Sequence, residues 1–230
     1  MIRLEQVSRS YEKEGRCIHA LRQVDLHLAP GEMAAVVGPS GSGKTTLLNV
    51  LGCLDRPTTG RYLLDGVAVE GMCGKQQAAV RNRKIGLIFQ HFHLLPGLSA
   101  EENAALPLML RGESSHRRRE AAAAALERVG LGDRRGHYPR ELSGGQQQRV
   151  AIARVLCADP AVILADEPTG NLDPRAGEEV MRILCDLHAR GKTLVLITHD
   201  LNLARKAPRL LRMEGGSLTE ITGFDPLIRG

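Results

Sequence analysis

Gly38-Pro39-Ser40-Gly41-Ser42-Gly43-Lys44-Thr45, followed by Thr46, is the segment of this chain best suited to chemistry. The spacing G-x-x-x-x-G-K-[ST] lets backbone N–H groups close around phosphate oxygens. Lys44 can then reach the outer phosphates, Thr45 can offer its hydroxyl to Mg²⁺, and the following helix points its positive end at the anion. The chemistry expected of residues 38–46 is capture of a nucleoside triphosphate. A glycine-rich turn of purely structural use is the alternative, and placement between a buried strand and a helix argues against it.

Two further segments gain meaning beside that loop. Asp166-Glu167 closes the apolar run Val162-Ile163-Leu164-Ala165, so both carboxylates leave the carboxyl end of a strand, where α/β proteins bind ligands. Asp166 suits Mg²⁺, through a water, and Glu167 suits polarising an attacking water. Leu142-Ser143-Gly144-Gly145-Gln146 opens a helix with two glycines and a hydroxyl in its first turn, a second candidate anion site. By itself it reads better as a glycine-rich helix cap. A second phosphate cradle is redundant for a triphosphate already held in residues 38–46, but useful if it covers one held by another copy of the chain.

The elements that must position these residues are legible in outline. Strands are expected at 2–7 and 24–28, and at 33–37, where an unbroken apolar run suits a strand buried on both faces. A helix over 45–51 stops at Gly52. Residues 85–89 form a further buried strand ending at Gln90. Helices are expected over 101–111, over the alanine-rich and charged 116–129, and from Gly145 to Ala158, ended by Asp159-Pro160. Asp173-Pro174 supplies an N-cap and a first-turn proline for a helix with Val180, Leu184 and Leu187 on its apolar face. The strand 194–197 ends at Thr198-His199-Asp200. Strand and helix alternate on both sides of a purely helical stretch, which implies a parallel α/β core carrying a helical insertion. The arginines of 117–119 read as the solvated face of a helix rather than a basic anchor.

Bulk properties narrow the function class. The chain has 230 residues, 43% hydrophobic and 25% charged, as an ordinary globular protein does. A net charge of +5 permits an anionic partner, but 3% aromatic content without tryptophan leaves few rings to stack along a nucleic-acid strand. Cys17, Cys53, Cys73, Cys157 and Cys185 form no C-x-x-C pair and read as reduced thiols. The first residues alternate like a strand, so no signal peptide is expected. Nowhere does an apolar run approach the ~20 residues that cross a bilayer. The tail 222–230 is expected to be poorly ordered.

With these motifs in hand, the chain resembles the ATPase subunits of ABC transporters over nearly its whole length. The resemblance implies an ATP- and Mg²⁺-dependent hydrolase of the P-loop NTPase (RecA-like) fold: a mostly parallel sheet core, an N-terminal antiparallel β subdomain and a helical subdomain. It implies one domain, with core and β subdomain in 1–98 and 143–222, a helical subdomain near 99–142, and a tail at 223–230. Tyr11 matches the aromatic that stacks on adenine, Gln90 the glutamine that helps bind the metal and position water, and Leu142, Ser143, Gly144, Gly145 and Gln146 the signature. Asn171-Leu172-Asp173 matches the D-loop, with Asp173 also a helix cap, and His199 the histidine that senses the γ-phosphate. Glu167 is then the general base, and Thr45, Gln90 and Asp166 surround Mg²⁺.

Three longer strings sharpen the resemblance toward the LolD and MacB type, with the cell-division ATPase FtsE in the same neighbourhood. They are Leu51-Gly52-Cys53-Leu54-Asp55-Arg56-Pro57-Thr58-Thr59-Gly60, the stretch from Phe89 to Asn103, and Asp166-Glu167-Pro168-Thr169-Gly170-Asn171-Leu172-Asp173. Cys53 and Gly71-Met72-Cys73-Gly74 fit no pattern of that group. The resemblance implies two copies closing head to tail around two ATP, an integral membrane permease docking at 90–110, and a place on the cytoplasmic face of the cell membrane. Lipoprotein release, drug or peptide export, and FtsE-like mechanical regulation all stay open as the task. A nucleic-acid ABC ATPase is a remote alternative, because the coiled-coil insertion or duplicated domain of those proteins is missing, and no nucleic-acid partner is expected.

Overall fold

The structure, a computed structural model, describes residues 1–13 and 15–221. Its contacts divide the chain into two compact units, Met1–Arg81 with Gly191–Gly230, and Asn82–Arg190. The tail expected to be poorly ordered lies outside the described residues.

In the first unit, β1 (Ile2–Lys13) and β2 (Arg16–Leu28) pair as a long antiparallel ribbon. Both run further than the expected 2–7 and 24–28. Only Leu21, Val24, Leu26 and Leu28 of β2 are buried, so apolar alternation marks its inner half alone. The outer half is held by backbone pairing from Arg9↔Leu21 to Lys13↔Arg16, which no side-chain pattern records. Next, β3 (Met33–Val37) is buried at every position, and α1 (Lys44–Leu51) packs Leu47, Leu48, Val50 and Leu51 inward before ending at Gly52. Strands β4 (Thr59–Leu64) and β5 (Val67–Ala68) complete an antiparallel sheet in the order β2-β1-β4-β5. The buried Tyr62 of β4 donates its hydroxyl to the Leu51 carbonyl at 2.8 Å, tying this sheet to the end of α1. The segment containing Cys73 leads into α2 (Gly74–Lys84), which sequence patterning misses because it buries only Gln77. Cys53 occupies a left-handed turn, φ 53°, with its side chain buried just beyond α1.

The second unit is built on β6 (Ile85–Phe89), followed by α3 (Ala100–Leu110), α4 (Ser115–Arg128), α5 (Gly144–Ala158), β7 (Val162–Asp166) and α6 (Pro174–Ala189). β6 and β7 pair in parallel, Ile85↔Val162 through Phe89↔Asp166. A Cβ on Gly86 would lie 2.4 Å from Val155 Cγ1, so glycine is what lets α5 sit against β6. Helices α3, α4 and α5 pack on one another, with Ala104, Leu108, Ala122, Leu126 and Val150 buried among them. Their starts follow ordinary capping rules: Ser99 and Glu102 form a capping box for α3, and Ser114 caps α4. The expected apolar face of α6, Val180, Leu184 and Leu187, is buried, and Gly191 follows in the left-handed region, φ 86°.

The chain then returns to the first unit as β8 (Thr193–Ile197), α7 (Leu201–Ala204), β9 (Arg209–Glu214) and β10 (Ser217–Glu220). β3 lies between β8 and β9, parallel to both. That position explains why residues 33–37 are apolar without alternation. β10 turns back antiparallel on β9 through Gly215 and Gly216, both at positive φ, and the Arg22 N–H of β2 bonds the Gly216 carbonyl at 2.8 Å. The mostly parallel α/β core, the antiparallel β sheet and the helical stretch expected from sequence are all present.

Candidate functional site

In the first unit, the candidate phosphate loop emerges from the carboxyl end of β3. Gly38 is forced by packing, since a Cβ there would fall 2.1 Å from the Met213 carbonyl oxygen of β9. Gly41 and Gly43 have φ of 75° and 110°, conformations that cost an L side chain about 1–2 kcal/mol. Gly43 is also the N-cap of α1, and a Cβ on it would meet the Ala20 carbonyl oxygen of β2 at 2.5 Å. Pro39, Ser40, Gly41 and Thr45 are exposed, while Ser42 is buried, its hydroxyl having no hydrogen-bond partner. Lys44 folds back over the loop, its ammonium donating to the Gly38 and Pro39 carbonyls at 2.8 Å each. An ammonium has three donors, so one remains for a ligand. A loop that admits no Cβ at Gly38 or Gly43, a helix N-terminus without a side-chain cap and an orphaned hydroxyl together fit an oxyanion of phosphate size.

His199 is brought to the same edge. β8 runs parallel to β3 with Val36↔Ile197 in register, so both strands release their chains at the carboxyl end. Thr198 is buried, its hydroxyl accepting the Asp200 N–H at 3.0 Å, and Asp200 caps α7, while His199 is exposed. Tyr11 stands on the outer part of β1, half-buried, paired with Ile18. Its hydroxyl donates to Asp55 Oδ2 at 2.7 Å, and the Arg9 guanidinium lies over its ring, 4.4 Å from the centroid.

The second unit gathers the remaining candidates. Asp166 ends β7, and Glu167 follows with φ 46°, a left-handed conformation unusual for a glutamate and of the kind that strain sustains at functional sites. The Gly170 N–H bonds back to the Glu167 carbonyl at 3.0 Å, turning the chain toward the D-loop. Gln90 donates to Asn171 Oδ1 at 3.0 Å, and Asn171 Nδ2 returns a bond to the Gln90 carbonyl at 3.2 Å. Gly170 leaves room for this pair, since a Cβ on it would lie 2.8 Å from Gln90 Nε2. Asp173 caps α6, accepting the Ala176 N–H at 3.0 Å.

The signature residues begin α5. Leu142 is buried. Ser143 is the N-cap and forms a full capping box: its hydroxyl accepts the Gln146 N–H at 3.3 Å, and Gln146 Oε1 accepts the Ser143 N–H at 2.9 Å. The helix-cap reading of this segment therefore holds, and the half-buried first turn behind the exposed Ser143 begins a helix whose leading N–H groups have no intrahelical partner. Gly145 is required by close approach, because a Cβ would sit 2.7 Å from that of Ala176 on α6, and Gly144 faces Leu172 and Asn171.

One residue that sequence reasoning missed links these parts. Gln148 on α5 is fully buried and donates Nε2 to the carbonyls of Phe89, at 3.1 Å, and Pro168, at 2.6 Å. It thereby holds the chain just before Gln90 and just after Glu167. The signal was a polar residue among the otherwise apolar buried positions of α5.

The strand–loop–helix of β3 and α1, with its cradle for a phosphate oxyanion, defines a P-loop nucleoside triphosphatase. Comparison with known proteins narrows the class. The ABC transporter family model matches residues 21–170. An uncharacterised ABC transporter ATP-binding protein of Thermotoga maritima is 51% identical over 204 residues, covering 89% of this chain and 87% of its own. The ABC transporter ATP-binding protein YknY of Bacillus subtilis is 47% identical over 218 residues, 95% of each chain. The macrolide export ATP-binding/permease protein MacB of Rhodopseudomonas palustris is 49% identical over 213 residues, 93% of this chain but 32% of the relative. Among solved structures, the ATP-binding cassette MJ0796, in a dimeric post-hydrolysis state bound to ADP and phosphate, superposes with a TM-score of 0.89 at 41% identity, covering 97% of this chain and 100% of the other. The chain belongs to the ABC transporter family, as one of its ATP-hydrolysing cassettes.

Proposed function

We propose that this cassette is the motor subunit of a membrane complex of the LolD and MacB type. Two copies close head to tail, each ATP lying between residues 38–46 of one copy and residues 142–146 of the other. The observation that carries this reading is the presence of two glycine-lined helix starts, at Gly43 and at Ser143, in separate compact units of one chain. One triphosphate fills one such cradle, so the second is useful to a ligand held by a partner copy. The dimeric form of MJ0796 supports the pairing of two copies.

Within the proposed site, Lys44 and the backbone N–H groups of the loop bind the phosphates, and Tyr11 stacks on adenine. Glu167 accepts a proton from the attacking water, which Gln90 and His199 orient. Thr45, Asp166 and Gln90 would hold Mg²⁺, which neutralises charge on the outer phosphates when bound. The helical stretch 99–142 forms a subdomain that shares residues 99–110 with the permease-docking segment 90–110, and the cassette sits at the cytoplasmic face through that permease. Among the described residues no helix is long and apolar enough to cross a membrane. MacB relatives carry a permease in the same chain, which supports a permease partner here. A mechanical regulator of the FtsE kind would use the same ATP chemistry.

Glu167→Gln tests the core of the proposal. Removing the base is expected to lower turnover about 10²–10⁴-fold and to trap an ATP-bound dimer on a sizing column. Undiminished hydrolysis, or a variant that stays monomeric with ATP, refutes it.

A further inference from the structure

Tyr11 does not stand alone on the ribbon. Asp55 accepts three groups at once: the Tyr11 hydroxyl on Oδ2 at 2.7 Å, Arg9 Nε on Oδ2 at 2.9 Å, and Arg9 Nη2 on Oδ1 at 2.8 Å. The Arg56 N–H adds a bond to Oδ1 at 2.7 Å. The same Arg9 guanidinium covers one face of the Tyr11 ring. This is a fork-shaped charge pair in direct contact, with the phenol hydroxyl sharing Asp55 Oδ2 with Arg9 Nε. Burial acts to raise the Asp55 pKa, but the Tyr11 hydroxyl, the Arg56 N–H and Arg9 outweigh it and hold the carboxyl below its ordinary range.

Asp55 belongs to the turn that folds back on α1. The N–H groups of Leu54 and Asp55 both bond the Asn49 carbonyl, at 2.8 and 3.1 Å. Arg56 braces that turn through Gln77 Oε1 at 3.2 Å and the Met72 carbonyl at 2.7 Å. At the opposite end of α1, Gly43 lies against Ala20 of β2, two residues from Ile18, the ladder partner of Tyr11. The ribbon that carries the aromatic ring is thus fastened to the phosphate-loop helix at both ends.

We propose that Arg9 and Asp55 are positioning residues that set the Tyr11 ring at a fixed place relative to the phosphate loop and leave one ring face for a purine base. The inference rests on the reading of Tyr11 as the adenine-stacking residue. With one face covered by Arg9, a base stacks on the other, and the phenol cannot rotate away without breaking its bond to Asp55. The base contact is then pre-organised instead of being ordered when nucleotide binds. The carboxylate also offsets the Arg9 charge, so the clamp adds no net charge near a polyphosphate.

The test uses ADP and inorganic pyrophosphate as calorimetric probes of the full chain, since neither is hydrolysed by the cassette. Tyr11→Ala reports on stacking itself and should weaken ADP binding about tenfold or more while leaving pyrophosphate unchanged. Tyr11→Phe, Asp55→Asn and Arg9→Ala keep the ring and should each weaken ADP about fivefold, again without effect on pyrophosphate. Tyr11→Phe added to Asp55→Asn should cost less than the sum of the two, because both act on the Tyr11–Asp55 bond. Equal losses for ADP and pyrophosphate would show that the network only supports the loop, and overturn the proposal. Full ADP affinity in the three ring-preserving variants, with a loss in Tyr11→Ala, would overturn the clamp and keep stacking. An unchanged Tyr11→Ala would overturn the stacking reading beneath it.

Discussion

Ser143 has two tasks in this reading, and substitutions can separate them. As N-cap of α5 it accepts the Gln146 N–H, and the capping box returns a bond from the Ser143 N–H to Gln146. As an exposed signature residue it faces the γ-phosphate of a partner copy's ATP in the proposed dimer. Ser143→Ala removes the cap and should cost about 1 kcal/mol, which lowers Tm by about 2–4 °C in a chain of this size. Ser143→Asp keeps an equally good cap and adds a carboxylate at the positive end of α5, so Tm without nucleotide should match or slightly exceed that of the parent. In the closed dimer, however, that carboxylate would oppose the γ-phosphate. Two unit charges 4 Å apart at an effective dielectric constant of 20 repel by about 4 kcal/mol, or roughly three orders of magnitude in dimer closure. The assays are thermal unfolding without nucleotide, phosphate release at saturating ATP, and ATP-dependent dimerisation in the Glu167→Gln background. Parent-like hydrolysis in Ser143→Asp would refute the in-trans phosphate contact. Equal losses of Tm in the two variants would refute the capping argument.

Three other outcomes are expected. Gln148→Leu leaves the Phe89 and Pro168 carbonyls without their buried donor, so it should lower stability by about 1–3 kcal/mol; it should also reduce kcat more than ATP affinity, and parent-like values for stability and kcat would refute it. Burial pushes the Cys53 and Cys157 thiols up to about 11, while Cys17 and Cys73 are exposed. A thiol reagent at pH 8 should therefore label Cys17 and Cys73 quickly and reach Cys53 and Cys157 only on unfolding, as peptide mapping would show. Three carboxyls are held below their ordinary range: Asp55 as described, Glu102 by the Ser99 backbone and hydroxyl, and Glu220 by Arg209. Their stabilisation is complete above the unfolded values near pH 4 and is lost as pH falls through the lower folded values. The urea midpoint should thus be level from pH 7 to about 5 and decline below about 4, less steeply in Asp55→Asn; an unchanged midpoint down to pH 3 would refute the assignment.

Local rules were enough for elements whose signal is written along the chain. Residues 33–37 read as a buried strand because parallel neighbours on both sides require an apolar residue at every position. Asp173-Pro174 marked the start of α6, and Gly38 through Thr45 marked the loop, because caps and phosphate cradles demand fixed residue types at fixed spacing. Elements held by other means were silent. The outer half of β1–β2 is stabilised by backbone pairing, β5 has two exposed residues, and α2 buries only Gln77.

By itself, then, the sequence determined the class of chemistry and the residue types that serve it, since phosphate, metal and water each need particular groups in a particular order. What it left to tertiary structure was which groups are held and by what. That Gln90 pairs with Asn171, and that Asp55 and Arg9 grip Tyr11 across more than 40 positions of chain, depends on contacts between distant segments. Sequence spacing carries no record of such contacts. They arise only when burial brings distant backbone and side-chain groups within hydrogen-bond reach of one another.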